Sequence, residues 1–138
     1  MDLEALIESL GVSILDTHDL PSGIDGMYLH HRKIILIRSS LDTWSHRSTL
    51  AHELGHAWYG DDQHGDPRLE RRADEFTAQI LITPDNYRLA ENAHNGCLGA
   101  IAYELGVTPR ILDVWKRLYQ QGRIQPESCL SSAQRRAC

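Results

Sequence analysis

The chain has 138 residues, 41 % of them hydrophobic and 24 % charged, with a formal net charge of −5. That length makes one domain with its own core, and that composition excludes general disorder. The acidic balance gives no bulk attraction to phosphate backbones, which argues against direct nucleic-acid binding, and no apolar run reaches membrane-spanning length.

Leu3, Leu6, Ile7 and Leu10 trace one face of an N-terminal helix. Acidic residues, Asp2 and Glu4, stand where a secretory leader would be basic. The cysteines, Cys97, Cys129 and Cys138, are odd in number and lack Cys-x-x-Cys spacing. Both features point to a reducing, cytoplasmic setting. Residues 11–16 read as a short strand and 20–26 as a loop of turn formers. The β-prone runs 27–30 and 34–37 then form a hairpin joined through His31, Arg32 and Lys33.

A helix over 42–59 follows, capped by Asp42, with Leu50, Leu54 and Ala57 on its buried stripe; the turn formers from Gly60 to Pro67 end it. Asp66 and Pro67 open a second helix over 67–82, whose apolar stripe is Leu69, Ala73, Phe76 and Ile80. Helical segments of roughly 85–95, 98–106 and 109–120 complete residues 1–122 as a single domain. The remainder, 123–138, has no periodicity and is expected to be a mobile tail. The fold class is therefore α+β, with a small, mainly antiparallel sheet of about three strands packed with helices.

The chemistry concentrates in His52-Glu53-Leu54-Gly55-His56. Positions i and i+4 of a helix share a face, so both imidazoles can reach one Zn²⁺. Glu53, one residue round the helix, can take a proton from zinc-activated water without itself ligating. An open catalytic site needs a third protein ligand, and Glu70 in the next helix completes a two-His, one-Glu set. Asp74, one turn later, is placed to hydrogen-bond the outer nitrogen of a ligand histidine. An arbitrary acidic pair is usually no more than a solvated helix face, but its place directly after this pattern favours the metal reading. His64 is the rival third ligand. An extended three-histidine pattern would require Gly at 59 and His at 62, where this chain has Tyr59 and Asp62. Gly55 weakens a helix, so a close backbone approach is expected there, packing on the sheet being its simplest cause. Tyr59, His64, Tyr87 and His94 are candidates to stabilise an oxyanion, and sequence does not choose among them.

These residues resemble the ImmA/IrrE family of metallopeptidases found in bacteria, phages and mobile elements. The likeness is carried by Leu50-Ala-His-Glu-Leu-Gly-His56, Glu70-x-x-Ala73-Asp74-x-Phe76 and Gln79-Ile-Leu-Ile-Thr-Pro84, and by the order of elements over most of residues 1–120. Thr77 stands where the family usually has Ala, and Arg72 where an acidic residue is common. The resemblance implies a zincin-like fold and a gluzincin site with Glu70 as the third zinc ligand. It also implies that one wall of the substrate cleft is a sheet edge and that the substrate is a helix-turn-helix transcriptional repressor. Two other functions compete. Segment 101–118 has helix-turn-helix spacing, with Arg110, Lys116 and Arg117 as cations for a DNA groove, although Ile111, Val114, Trp115 and Leu118 suit a hairpin packed on the peptidase core. A non-catalytic antirepressor that sequesters its partner is the third.

Overall fold

The computed structural model describes residues 2–124. Its elements are helix α1 (Leu3–Leu10), strands β1 (Ser13–Thr17), β2 (Gly26–Leu29) and β3 (Ile34–Arg38), and helices α2 (Thr43–Tyr59), α3 (Pro67–Leu81), α4 (Pro84–Ala93), α5 (Leu98–Leu105) and α6 (Pro109–Gln120). The expected α+β architecture is present. From residue 125 on, the expected tail lies outside the described residues. Arg123 donates to Glu75 at 3.0 Å, and Ile124 packs on the helical core.

The three-stranded sheet has the order β1-β3-β2. The expected hairpin supplies its antiparallel pair, with Tyr28 opposite Ile35, and β1 adds in parallel to β3, with Leu15 opposite Leu36. The pairing is mixed because the loop after β1 skips one strand position, so that the hairpin returns β3 between its neighbours. Arg38 holds that loop. Its guanidinium donates to the carbonyls of Pro21 at 2.7 Å and Ile24 at 2.6 Å, and its backbone N–H donates to Asp25 O at 2.8 Å. β1 begins at Ser13 and not at Gly11, because Gly11 takes the left-handed conformation (φ 67°) that closes α1.

Strand alternation sends Ile35 and Ile37 to the covered face, both fully buried. With Leu6, Val12, Tyr28 and Leu54 they form one core between the sheet, α1 and α2. A second core lies on the other side of α2, where Ala51, Ala78, Ile82, Ile101, Leu112 and Trp115 join α2 to the C-terminal helices. α2 thus separates two cores. Its N-terminal half is also tied to the α5–α6 turn: Ser48 Oγ donates to Gly106 O at 3.1 Å and Arg47 Nη1 to Leu105 O at 3.3 Å.

Candidate metal centre

α2 begins where expected, at an Asp42 cap that accepts from Ser45 N at 2.7 Å. One turn separates His52 from His56, and their rings meet edge to face with centroids 4.9 Å apart. Gly55 sits on the face toward α3. A Cβ there would lie 3.2 Å from Ala73 Cα and 3.2 Å from Phe76 Cδ1, so the close approach inferred from this glycine is to α3, not to the sheet. α3 opens on Asp66, which accepts from Arg68 N at 2.9 Å, and Pro67 occupies its first turn. Glu70, Ala73, Asp74 and Thr77 follow at helical spacing along the face that meets α2.

This crossing brings the separately predicted residues together. Glu70 Oε2 lies 2.7 Å from His52 Nε2 and 3.3 Å from His56 Nε2. One donor atom from each of the three residues lies within 4.8 Å of the others. Donors bound tetrahedrally at about 2.0–2.2 Å stand roughly 3.3–3.6 Å apart; the His56–Glu70 edge matches this, and the His52–Glu70 edge is shorter, at hydrogen-bond length. The donor set, two imidazole nitrogens and one carboxylate oxygen, fits such an ion with a position left open.

Each histidine also meets an aspartate through its outer nitrogen. Asp74 Oδ1 approaches His52 Nδ1 to 3.0 Å, off the line of a hydrogen bond, while Asp74 Oδ2 accepts from Arg110 of α6. His56 Nδ1 and Asp61 Oδ2 form a buried hydrogen bond of 2.9 Å, and Arg72 Nη2 donates to Asp61 Oδ1 at 2.6 Å. Sequence reading missed Asp61, Arg72 and Arg110. Gly60 carried a usable signal for Asp61: a left-handed glycine (φ 68°) ends α2 and turns the chain back, so that Asp61 N donates to His56 O at 2.9 Å and its side chain returns over the same ring. The arginines come from α3 and α6 and carried no local signal.

Glu53 is buried, 7 % exposed, beside the triangle. β2 presses on it, since a Cβ on Gly26 would lie 2.5 Å from Thr49 Cγ2 and 3.1 Å from Glu53 Cγ. Burial pushes the Glu53 carboxyl above its ordinary 4.5, only partly offset by His52 and His56. Glu70 and Asp74 move the opposite way. Burial opposes ionisation of Glu70 and Asp74, but contact with His52, and with Arg110 for Asp74, holds both below their ordinary values. For His52 burial favours the neutral ring, yet the surrounding Asp74, Glu53 and Glu70 raise it above 6.5. In the metal-free chain, Glu53 is thus the carboxylate of raised proton affinity, beside two, Glu70 and Asp74, whose affinity is lowered.

A cleft of about 640 Å³ runs over these groups, lined on one side by Gly23, Ile24, Gly26 and Met27 and on the other by Thr108 and Arg110. β2 is an edge strand of the sheet. Of the four oxyanion candidates, His64 lines this cleft. Tyr59 lies beneath the Arg72 guanidinium, Tyr87 packs on Trp115, and His94 pairs with Glu104 at 3.0 Å. In the helix-turn-helix-like segment, Ile111, Leu112, Trp115 and Leu118 are buried, and Arg117 reaches Asp113 at 3.4 Å. Among the described residues no helix is long and apolar enough to cross a membrane.

The family model for the IrrE N-terminal-like domain of M78 peptidases matches residues 7–114. No curated protein matches the chain.

Proposed function

The chain belongs to the M78 peptidase family of the IrrE N-terminal-like domain, and from that premise we propose that it is a zinc endopeptidase of the gluzincin type. Its proposed substrate is a helix-turn-helix transcriptional repressor in the cytoplasm. The observation that carries this reading is the convergence of His52, His56 and Glu70 beside a buried Glu53. His52 Nε2, His56 Nε2 and Glu70 Oε2 would hold the ion. When bound, the ion supplies Lewis acidity toward water and toward the scissile carbonyl.

The chain's own residues do the remainder. Glu53 accepts a proton from the attacking water and delivers it to the departing amine nitrogen as the C–N bond breaks, from its buried place beside the three ligand atoms. Asp74, braced by Arg110, holds the His52 ring against rotation. The substrate enters as extended chain, because a helix keeps its carbonyls engaged; the rim of β2, with Gly26 and Met27 in the cleft wall, supports pairing of that chain with the sheet edge. The substrate class rests on the family resemblance.

The test is to incubate the protein, and separately Glu53→Gln, with zinc and any helix-turn-helix repressor found encoded beside it, and to read the products by intact mass. A discrete pair of fragments made only by the unaltered protein is expected. Complex formation without cleavage, equal for both forms and sufficient to release the operator, would favour the antirepressor. Salt-sensitive operator binding by this chain alone would favour the DNA-binding alternative.

A further inference from the structure

Asp61 stands where local physics disfavours it. It follows the C-terminus of α2, where the helix dipole opposes negative charge, and its side chain is only 5 % exposed, where an unpaired carboxylate is strongly penalised. Two partners compensate it, one on each oxygen. Oδ2 meets His56 Nδ1 at 2.9 Å and Oδ1 accepts from Arg72 Nη2 at 2.6 Å. Arg72 in turn is held by Tyr59, its guanidinium carbon 3.9 Å from the ring centroid.

The bond to His56 has a chemical consequence. A carboxylate on Nδ1 accepts a hydrogen bond from the ring proton there, so that when Nε2, the nitrogen that faces Glu70, serves as a ligand its lone pair is free. The same bond fixes the ring plane. Arg110, Asp74 and His52 repeat the order arginine, aspartate, histidine, but the Asp74 contact is off line, so the better aligned of the two braces is the one on His56.

We infer that Asp61 and Arg72 are positioning residues for His56, selecting its tautomer and ring orientation for metal binding. This rests on the reading of His56 as a ligand. It gives Arg72, which departs from the family's usual acidic residue, a role in this chain: a cation from α3 that holds one Asp61 oxygen and so aims the other at His56.

The test uses the full chain and Zn²⁺ alone, with affinity read by competition against a chromophoric chelator. Asp61→Asn is expected to loosen zinc by about 10–100-fold, and Arg72→Met by about tenfold with partial recovery in Arg72→Lys. Urea midpoints in EDTA should change far less than affinity. Side-chain nitrogen NMR of the Zn²⁺-loaded protein should show a hydrogen-bonded proton on His56 Nδ1 that exchanges faster with solvent in Asp61→Asn. Wild-type affinity in Asp61→Asn and Arg72→Met, with loss in His56→Ala, would overturn the positioning role and leave the ligand reading intact. Wild-type affinity in His56→Ala would overturn the ligand reading itself. Loss of affinity that merely tracks loss of stability would also overturn the role. Should Asp61→Asn fail to fold, Arg72→Met decides alone, since that side chain is 41 % exposed.

Discussion

Replacing Gly55 with Ala sets helix propensity against packing at the crossing that forms the site. Inside a helix Ala is better than Gly by about 1 kcal/mol, so propensity alone predicts a more stable protein. At this position the added methyl would lie 3.2 Å from Ala73 Cα, 3.2 Å from Phe76 Cδ1 and 3.3 Å from Phe76 Cβ. The Phe76 ring can rotate away, but Ala73 Cα is backbone and yields only if α3 moves. Forcing an extra methyl into a packed interior costs about 1–3 kcal/mol, which outweighs the propensity gain and leaves a net destabilisation of about 1 kcal/mol. In urea, with a slope of about 1–3 kcal/mol per M, the midpoint should fall by roughly 0.3–1 M. EDTA must be present, so that a bound ion does not mask the difference. Ala73 lies between Glu70 and Asp74, so the same displacement carries both carboxylates away from the histidines, and zinc should bind about tenfold more weakly. A variant more stable by about 1 kcal/mol, with zinc affinity unchanged, would refute the account of the helix contact.

Other expected outcomes are independent of that one. Glu70→Ala should lose zinc while His64→Ala keeps it; the reverse pattern in metal analysis would reassign the third ligand. Glu53→Gln should retain zinc and lose peptidase turnover, and wild-type turnover would remove the general-base role. In EDTA, His52, raised above 6.5, contributes stability that is present below that pH and lost as the pH climbs through its raised value. Glu70 and Asp74, lowered from 4.5 and 3.8, contribute stability that is present above those values and lost as the pH falls through their lowered ones. Glu53, raised by burial, adds to the loss as the pH rises, because its ionisation is harder in the folded chain. Chemical unfolding of the metal-free protein should therefore show a maximum in mildly acidic solution; a steady rise in stability from pH 6 to 8 would contradict these signs. Arg110→Ala should weaken zinc binding by several-fold through Asp74, and unchanged affinity would make that ion pair a surface contact only.

The parts of this fold that depend on neighbours in sequence were legible. The Asp42 and Asp66 caps, Pro67, and the spacings within His52-Glu53-Leu54-Gly55-His56 and from Glu70 to Asp74 are local patterns, and each places its residue on a definite helix face. Strand order was not legible, because the periodicity of β1, β2 and β3 fixes which face each strand buries and says nothing of which strand lies in the middle. The braces behind the histidines were hidden for a related reason. Arg110 reaches Asp74 across 36 positions, and no spacing rule links an arginine on α6 to a carboxylate on α3. Asp61 was closer to view, only five positions from His56, but the helix rule of three and four residues stops at α2's end, and only the left-handed Gly60 restores the contact.

The position of α2 between two cores bears on how a metal ion would be gained and released. Amides in the middle of that helix are covered from both sides and are expected among the last to exchange with solvent, which would keep His52 and His56 in place through most local fluctuations. Glu70 lies in the first turn of α3 with 40 % of its side chain exposed, and helix ends open more readily than helix centres. On the proposed ligand set, fraying of that turn would detach the carboxylate without disturbing the two histidines, so exchange of a bound ion is expected to run through the carboxylate side while the histidine pair remains as a preformed landing place.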